Sequence, residues 1–229
     1  MMRMETLIII QRIYAAVTLI PIAVYFLTKK DQHASMVYLL AMLIFSFLAD
    51  GFAILSGSWL HLGKDLNGVI NCYGFLETGT VIMFYQSQLS PGKKWPFLVV
   101  TGLVIAVQMW EMFFFRGFNE FPGTARSLLA ITVTVLALAY FFMLMRNLPA
   151  RRIYHLPMFW INIGMLIYFT GNFFLFVVRD YLVEVLKDNL IFYWSFHNVL
   201  GIIAYILMAV GLSQARRSPE PKESLYEQS

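Results

Sequence analysis

Apolar residues run along this chain in seven long stretches, roughly 6–28, 35–56, 66–88, 95–115, 124–145, 156–179 and 190–213, with short polar segments between them. A bilayer core about 30 Å thick is crossed by about 20 mostly apolar residues in a helix, so each stretch predicts a spanning helix. The punctuation agrees. Pro91-Gly92 and Pro122-Gly123 are turn signals. Pro96 and Pro157 fall in the first turn of the fourth and sixth stretches, where proline is tolerated. Pro21 lies inside the first stretch and predicts a kink. That stretch is too long for a cleaved signal peptide and no A-x-A-like site follows it, so it is expected to persist as a helix.

Composition points the same way. The chain has 229 residues, 59% hydrophobic and 13% charged, where a soluble domain carries about 25% charged residues. Its solvent is therefore mostly lipid. The single cysteine, Cys72, excludes an intrachain disulfide framework and a multi-cysteine metal site. The formal charge of +4 is small, and nothing in it suggests a nucleic-acid partner. The expected fold is all-α: a polytopic bundle of seven transmembrane helices over 1–213, with a polar, disordered tail over 214–229. The expected location is the cell (inner) membrane. No soluble catalytic domain and no internal repeat is visible.

Charge placement sets an orientation, because cytoplasmic loops are rich in Lys and Arg. Lys29, Lys30, Lys93, Lys94, Arg146, Arg151, Arg152, Arg216, Arg217 and Lys222 fall on one side. Arg3, Lys64, Arg116, Arg126, Arg179 and Lys187 fall on the other. The first and larger group belongs in the cytoplasm, which puts the N-terminus outside and the C-terminus inside.

Ionisable residues inside a membrane are expensive and mark function by default. Five occur at depth: Arg12, Asp50, Glu77, Glu111 and His197. At about 1.5 Å per residue, all but Glu77 lie roughly 6–11 Å below the outer surface. Glu77 is near the midplane, and Asn172 shares the outer layer. Helical spacing gives polar or small stripes: Ser46, Asp50, Ala53 and Gly57; Tyr73, Glu77, Thr80, Phe84 and Gln88; Trp194, His197, Asn198, Gly201 and Tyr205. Gln108 pairs with Glu111 in the fourth span, and Tyr168, Asn172 and Arg179 mark the sixth. Such faces meet a neighbouring helix or a cavity rather than lipid. The expected ligand or proton site is Arg12, Asp50, Glu77, Glu111, Asn172, Trp194, His197 and Asn198.

If all three carboxylates are ionised, Arg12 offsets one and two negative charges stay uncompensated, which is costly in a low dielectric. Protonation, a reach by Arg179, or a bound cation would each relieve this. Structural readings stand beside the functional ones. Arg12 with Asp50 or Glu77 reads equally as an ion pair that fixes helix register. His197 and Asn198 read equally as hydrogen-bond partners of one neighbouring helix. Glu111 reads equally as an interfacial residue, and Tyr73, Tyr168, Tyr205 and Trp194 read first as packing rather than as a ligand cage.

Several activities are excluded or unsupported. A retinal pigment needs a lysine in the last span, and there is none; Lys187 lies in the preceding loop. The four histidines, His33, His61, His155 and His197, form no H-x-x-x-H or H-E-x-x-H motif. No G-x-S-x-G is present. No catalytic residue, cofactor or metal site is assigned, although Asp50, Glu77, Glu111 and His197 together would be the metal-binding alternative.

The segment FWINIGMLIYFTGNFFLFVV (159–178), followed by FYWSFHNVLGIIAYILMAVGL (192–212), resembles the closing helices of bacterial seven-helix membrane sensor modules. The matching features are L-I-Y-F-x-G-N at 166–172, W-x-x-H-N at 194–198 and G-L at 211–212. Modules of this kind stand before or beside histidine kinases. The resemblance implies a sensor or receptor-like module, with Asn172, Trp194, His197 and Asn198 at the shared positions and output passed to a separate histidine kinase or other signalling protein. The expected signal is a small molecule, a proton or a lipid, since imidazole titrates near neutral pH. The alternatives are a small transporter or proton-coupled carrier using Asp50 and Glu77, a lipid-directed enzyme, and an assembly subunit whose polar residues only lock helices together.

Overall fold

The computed structural model describes residues 4–28, 35–55, 66–115, 117–147, 153–185 and 190–214. Seven long helices fill them: α1 (Met4–Leu27), α2 (Met36–Leu55), α3 (Leu66–Leu89), α4 (Trp95–Trp110), α5 (Gly123–Asn147), α6 (Pro157–Val185) and α7 (Leu190–Gln214). A π-helical turn, Glu111–Phe115, continues α4, and a 3₁₀ turn, Ile153–His155, leads into α6. No strand occurs among the described residues.

The expected helices are all present, with adjusted ends. α6 runs six residues further than its apolar stretch, to Val185. Proline at the first position of α6 and in the first turn of α4 behaves as position predicts, since those N–H groups have no intrahelical acceptor. α1 passes through Pro21 as one continuous helix. Of the expected tail, Gln214 closes α7 and the rest lies outside the described residues. So do Gly57 and most of the basic residues that carry the orientation.

Six helices are long and apolar enough to cross a membrane: α1, α2, α4 with its π turn, α5, α6 and α7. The exception is α3. It carries Asn71, Glu77, Thr78 and Gln86, all buried. Neighbour relations explain its polarity. α1 packs on α2, α2 on α3, α3 on α5, α5 on α6, α6 on α7 and α7 back on α1, which closes a six-helix ring. α4 stays outside the ring, against α3 and α5. α3 is therefore covered on three sides, and its polar residues Asn71, Glu77, Thr78 and Gln86 meet protein, while Leu76 stays exposed.

The outer faces are apolar. Leu103, Val135, Phe142 and Phe174 are exposed, as lipid-facing residues should be. Hydroxyls along the helices are satisfied locally: Thr18, Thr78, Thr101 and Thr132 each donate to the carbonyl four residues back. Small residues set the tightest contact. A Cβ on Gly211 of α7 would lie 2.6 Å from the Pro157 carbonyl of α6, and one on Gly164 would lie 2.9 Å from the Ala204 carbonyl, so glycine is what lets these two helices approach. The half of the bundle nearest the α3–α4 turn is solid. Leu39, Leu43, Ile82, Ile161 and Leu212 fill it. There Tyr85 donates to Asn162 Oδ1 at 2.7 Å and Asn162 Nδ2 donates to the Ala137 carbonyl at 2.9 Å.

Candidate functional site

The other half of the ring is hollow. A cavity of about 270 Å³ lies among α1, α2, α3, α5, α6 and α7. It takes residues from the N-terminal halves of α1, α3, α5 and α7 and from the C-terminal half of α2, so it occupies the end of the bundle that holds the start of α1. On α1, Leu7, Gln11 and Tyr14 line it and Thr18 is buried below, spaced four, three and four residues apart. That is one helical stripe.

The deepest charge in its wall is Glu77, 2% exposed, and its partner is Arg126 of α5. The guanidinium also donates to the Ile70 carbonyl at 2.9 Å and sits over the Tyr73 ring, 5.3 Å from its centre. α3 accommodates this bulk at Gly74, where a Cβ would strike Gln108 and lie 3.3 Å from Arg126. Arg126 is held by the way α5 begins. The Glu111 carboxylate accepts from the backbone N–H groups of Thr124 at 3.0 Å and Ala125 at 2.7 Å. An anion at a helix N-terminus satisfies orphan donors and meets the positive end of the helix dipole. The π turn at the end of α4 carries Glu111 to that place. Asn71 then secures the connecting loop by donating to the Phe118 and Glu120 carbonyls at 2.6 and 3.1 Å. Gly117 turns the loop with φ of 109°, a conformation that favours glycine.

On the opposite wall, His197 Nδ1 lies 2.6 Å from Asn172 Oδ1. Asn172 Nδ2 donates to the Tyr168 carbonyl at 2.8 Å. The amide nitrogen is thus committed, its oxygen faces the ring, and Nδ1 must carry a hydrogen. In the neutral imidazole Nε2 is then an acceptor. Four aromatic rings surround His197, with centroids at 5.6 Å (Trp194), 5.7 Å (Tyr168), 6.2 Å (Tyr14) and 6.4 Å (Phe176). Below them a chain of hydroxyls joins three helices. Tyr14 and Tyr205 share a 3.0 Å hydrogen bond, and Tyr205 and Ser46 share one of 2.7 Å. Ser46 reaches Asp50 at 3.5 Å.

Asp50, Glu77, Trp194, His197 and Asn198 all line the cavity. Asn172 stands behind it and orients His197. Glu111 is fully buried but works at the start of α5. Arg12 is exposed on α1, one position off the inward stripe, and pairs with neither Asp50 nor Glu77. The cation that the charge count demanded is Arg126, which sequence reasoning placed among outer-loop basic residues. Two signals pointed to it: it stands three residues after Gly123, already inside a helix, and the spans held more carboxylates than cations. Among the described residues no group of three or more His, Cys, Asp or Glu could hold a metal.

Six helices long and apolar enough to cross a membrane, in a bundle with an internal cavity that holds Asp50, Glu77, Arg126 and His197 in its wall, mark a multi-pass helical membrane protein. The chain matches no family model, no curated protein and no solved structure.

Proposed function

We propose that this chain is a receptor-like membrane module whose cavity binds a small ligand and whose helices pass the signal to a separate protein, such as a histidine kinase. The observation that carries this reading is the cavity itself. It gathers polar residues from six helices at one end, above a half that is packed solid. Such a cup suits binding followed by a shift in helix packing, because a ligand moves an equilibrium only through its different affinity for two states. The hydroxyl chain from Tyr14 through Tyr205 to Ser46 supplies a coupling element, since it joins α1, α7 and α2 directly beneath the His197 ring.

In this proposal all seven helices cross the membrane, α3 included, with the N-terminus outside and the cavity facing out. Placement of the basic residues supports the orientation. Lys93, Lys94 and Arg146 are exposed at the solid end, next to the exposed Trp95, a combination typical of a membrane surface. Arg126, counted on the other side, is withdrawn into its pair with Glu77, which sharpens the bias.

The test is gentle extraction from the native membrane followed by mass spectrometry. The receptor reading expects a signalling partner to co-purify and its output to change in His197→Ala. A chain that comes out alone, and that moves protons or solute into liposomes in a way lost in Asp50→Asn or Glu77→Gln, supports the carrier instead. Variants that alter stability and nothing else support a purely structural subunit.

A further inference from the structure

The three carboxylates inside the bundle have different fates: Glu77 and Glu111 are buried, and Asp50 is partly exposed. Glu77 is paired with Arg126. Glu111 accepts two helix N-terminal amides. Asp50 has neither arrangement. Its one hydrogen bond among the described residues comes from Ser46, at 3.5 Å, the weak limit for an O–H donor. It lines the cavity.

The other groups around the cavity are biased the same way. The Nδ1–H of His197 is used on Asn172, which leaves Nε2 as an acceptor. Asn198, 6% exposed, lines the cavity, and its side chain hydrogen-bonds no described residue. Aromatic rings make up much of the remaining wall, and ring faces are partially negative. Two of them already carry cations: Tyr73 lies under Arg126 at 5.3 Å and Phe121 under Arg179 at 4.3 Å. The rings of Tyr14, Tyr168 and Trp194 around His197 carry none among the described residues.

We propose, building on the receptor reading, that the cavity takes a small organic ammonium ion, with Asp50 as its counter-ion and the rings of Tyr14, Tyr168 and Trp194 as its walls. Other occupants fit less well. An anion would need the Arg126 guanidinium, which Glu77 holds. A neutral apolar molecule would bury the Asp50 carboxylate with only the weak Ser46 contact and the Asn198 side chain with none, which is costly. A hard metal ion wants six or more oxygen ligands, and no three candidate side chains cluster among the described residues. An ammonium bearing methyl groups uses both the carboxylate and the ring faces. At about 270 Å³ the cavity lies at or below the small end of ligand sites, about 300–1,000 Å³, so the ammonium body must be compact. A soluble amine and a lipid headgroup can each carry the ammonium; the chemistry at Asp50 is the same.

The test uses the full chain in phosphatidylglycerol nanodiscs, with three probes of one shape: choline, its uncharged carbon isostere dimethylbutanol, and the anion dimethylbutanoate. Calorimetric titration is expected to show choline binding at least about tenfold tighter than either analogue, the margin a desolvated cation–π site confers. Asp50→Asn, which keeps size and shape, should weaken choline by about tenfold or more and leave dimethylbutanol unchanged. Trp194→Leu should weaken choline likewise, and serves if Asp50→Asn does not fold. Adding phosphatidylcholine identifies the source. Competition with choline assigns the headgroup, and undiminished choline binding assigns a soluble amine; either agrees with the proposal.

Equal or tighter binding of dimethylbutanol or dimethylbutanoate overturns the ammonium assignment and leaves the cavity as a ligand site. Choline affinity untouched by both Asp50→Asn and Trp194→Leu overturns it too. Failure of all three probes also removes it, while the receptor reading is judged separately by partner recovery and the His197→Ala response.

Discussion

Asn172 on α6 and His197 on α7 face each other across the cavity wall with 2.6 Å between Oδ1 and Nδ1. Because Asn172 Nδ2 is spent on the Tyr168 carbonyl, this contact fixes which imidazole nitrogen carries hydrogen. Neutral His197 should be the Nδ1–H tautomer, with Nε2 free to accept. Nitrogen-15 NMR of the histidine-labelled protein in detergent reads this directly. Asn172→Leu should release the ring and give a mixture of tautomers. A wild-type spectrum dominated by Nε2–H would overturn the hydrogen-bond assignment.

Arg126 and Glu77 make a second prediction. Removing one member of a buried ion pair leaves an uncompensated charge, at a cost of roughly 3–5 kcal/mol, whereas removing both costs far less. Arg126→Met and Glu77→Gln should each lower the melting temperature sharply in detergent. The double variant should recover a large part of the loss, which a double-mutant cycle measures. Additive losses would mean that the two side chains do not depend on each other.

These two pairs show how much of the molecule is legible in sequence. Helix count and approximate bounds follow from apolar length alone, since lipid imposes it. The α7 stripe of Trp194, His197, Asn198, Gly201 and Tyr205 is visible as spacing, and it lies along the cavity and its floor: Gly201 abuts the Tyr14 ring and Tyr205 bonds Tyr14 and Ser46. Periodicity says which residues share a face but not what that face meets. Arg12 therefore looked as suitable a partner for Glu77 as any cation, until the ring order put its side of α1 outward. Arg126 reads in sequence as a topology signal, because it is a basic residue near a span end. Its burial follows from the Glu111 carboxylate at the start of α5, a contact between residues more than a dozen positions apart that no local pattern encodes. α3 shows the same limit from the other side: apolar length over 66–88 predicts a span, yet α3 is not among the helices apolar enough to cross a membrane, and its polar residues are buried by packing against α2, α4 and α5, which no local pattern shows.

Glu111 should matter for the cavity without lining it. Glu111→Ala strips two N-terminal amides of their acceptor, and losing such a cap costs about 0.5–2 kcal/mol. Amide hydrogen exchange at Thr124 and Ala125 should accelerate first, because these N–H groups lose their partners. Arg126 is anchored two residues on, so ligand binding in the cavity should weaken even though Glu111 never touches the ligand. Unchanged exchange at both amides would show that α5 begins independently of Glu111.

Glycine positions separate helix contact from helix propensity. At Gly211 a Cβ would press on the Pro157 carbonyl at 2.6 Å and on Ile161 Cγ1 at 2.7 Å. The first is backbone and cannot swing aside, so Gly211→Ala should force α6 and α7 apart at a cost of about 1–3 kcal/mol, as overpacking does. At Gly102, on the exposed side of α4, nothing lies within 4 Å of the added carbon. Gly102→Ala should therefore be neutral or stabilising, by up to about 1 kcal/mol from helix propensity. Melting of both variants in the same detergent makes the comparison. If Gly211→Ala proves as harmless as Gly102→Ala, the close approach of α6 and α7 at that end does not exist, and the wall that carries Asn172 and His197 has more freedom than the hydrogen bond between them requires.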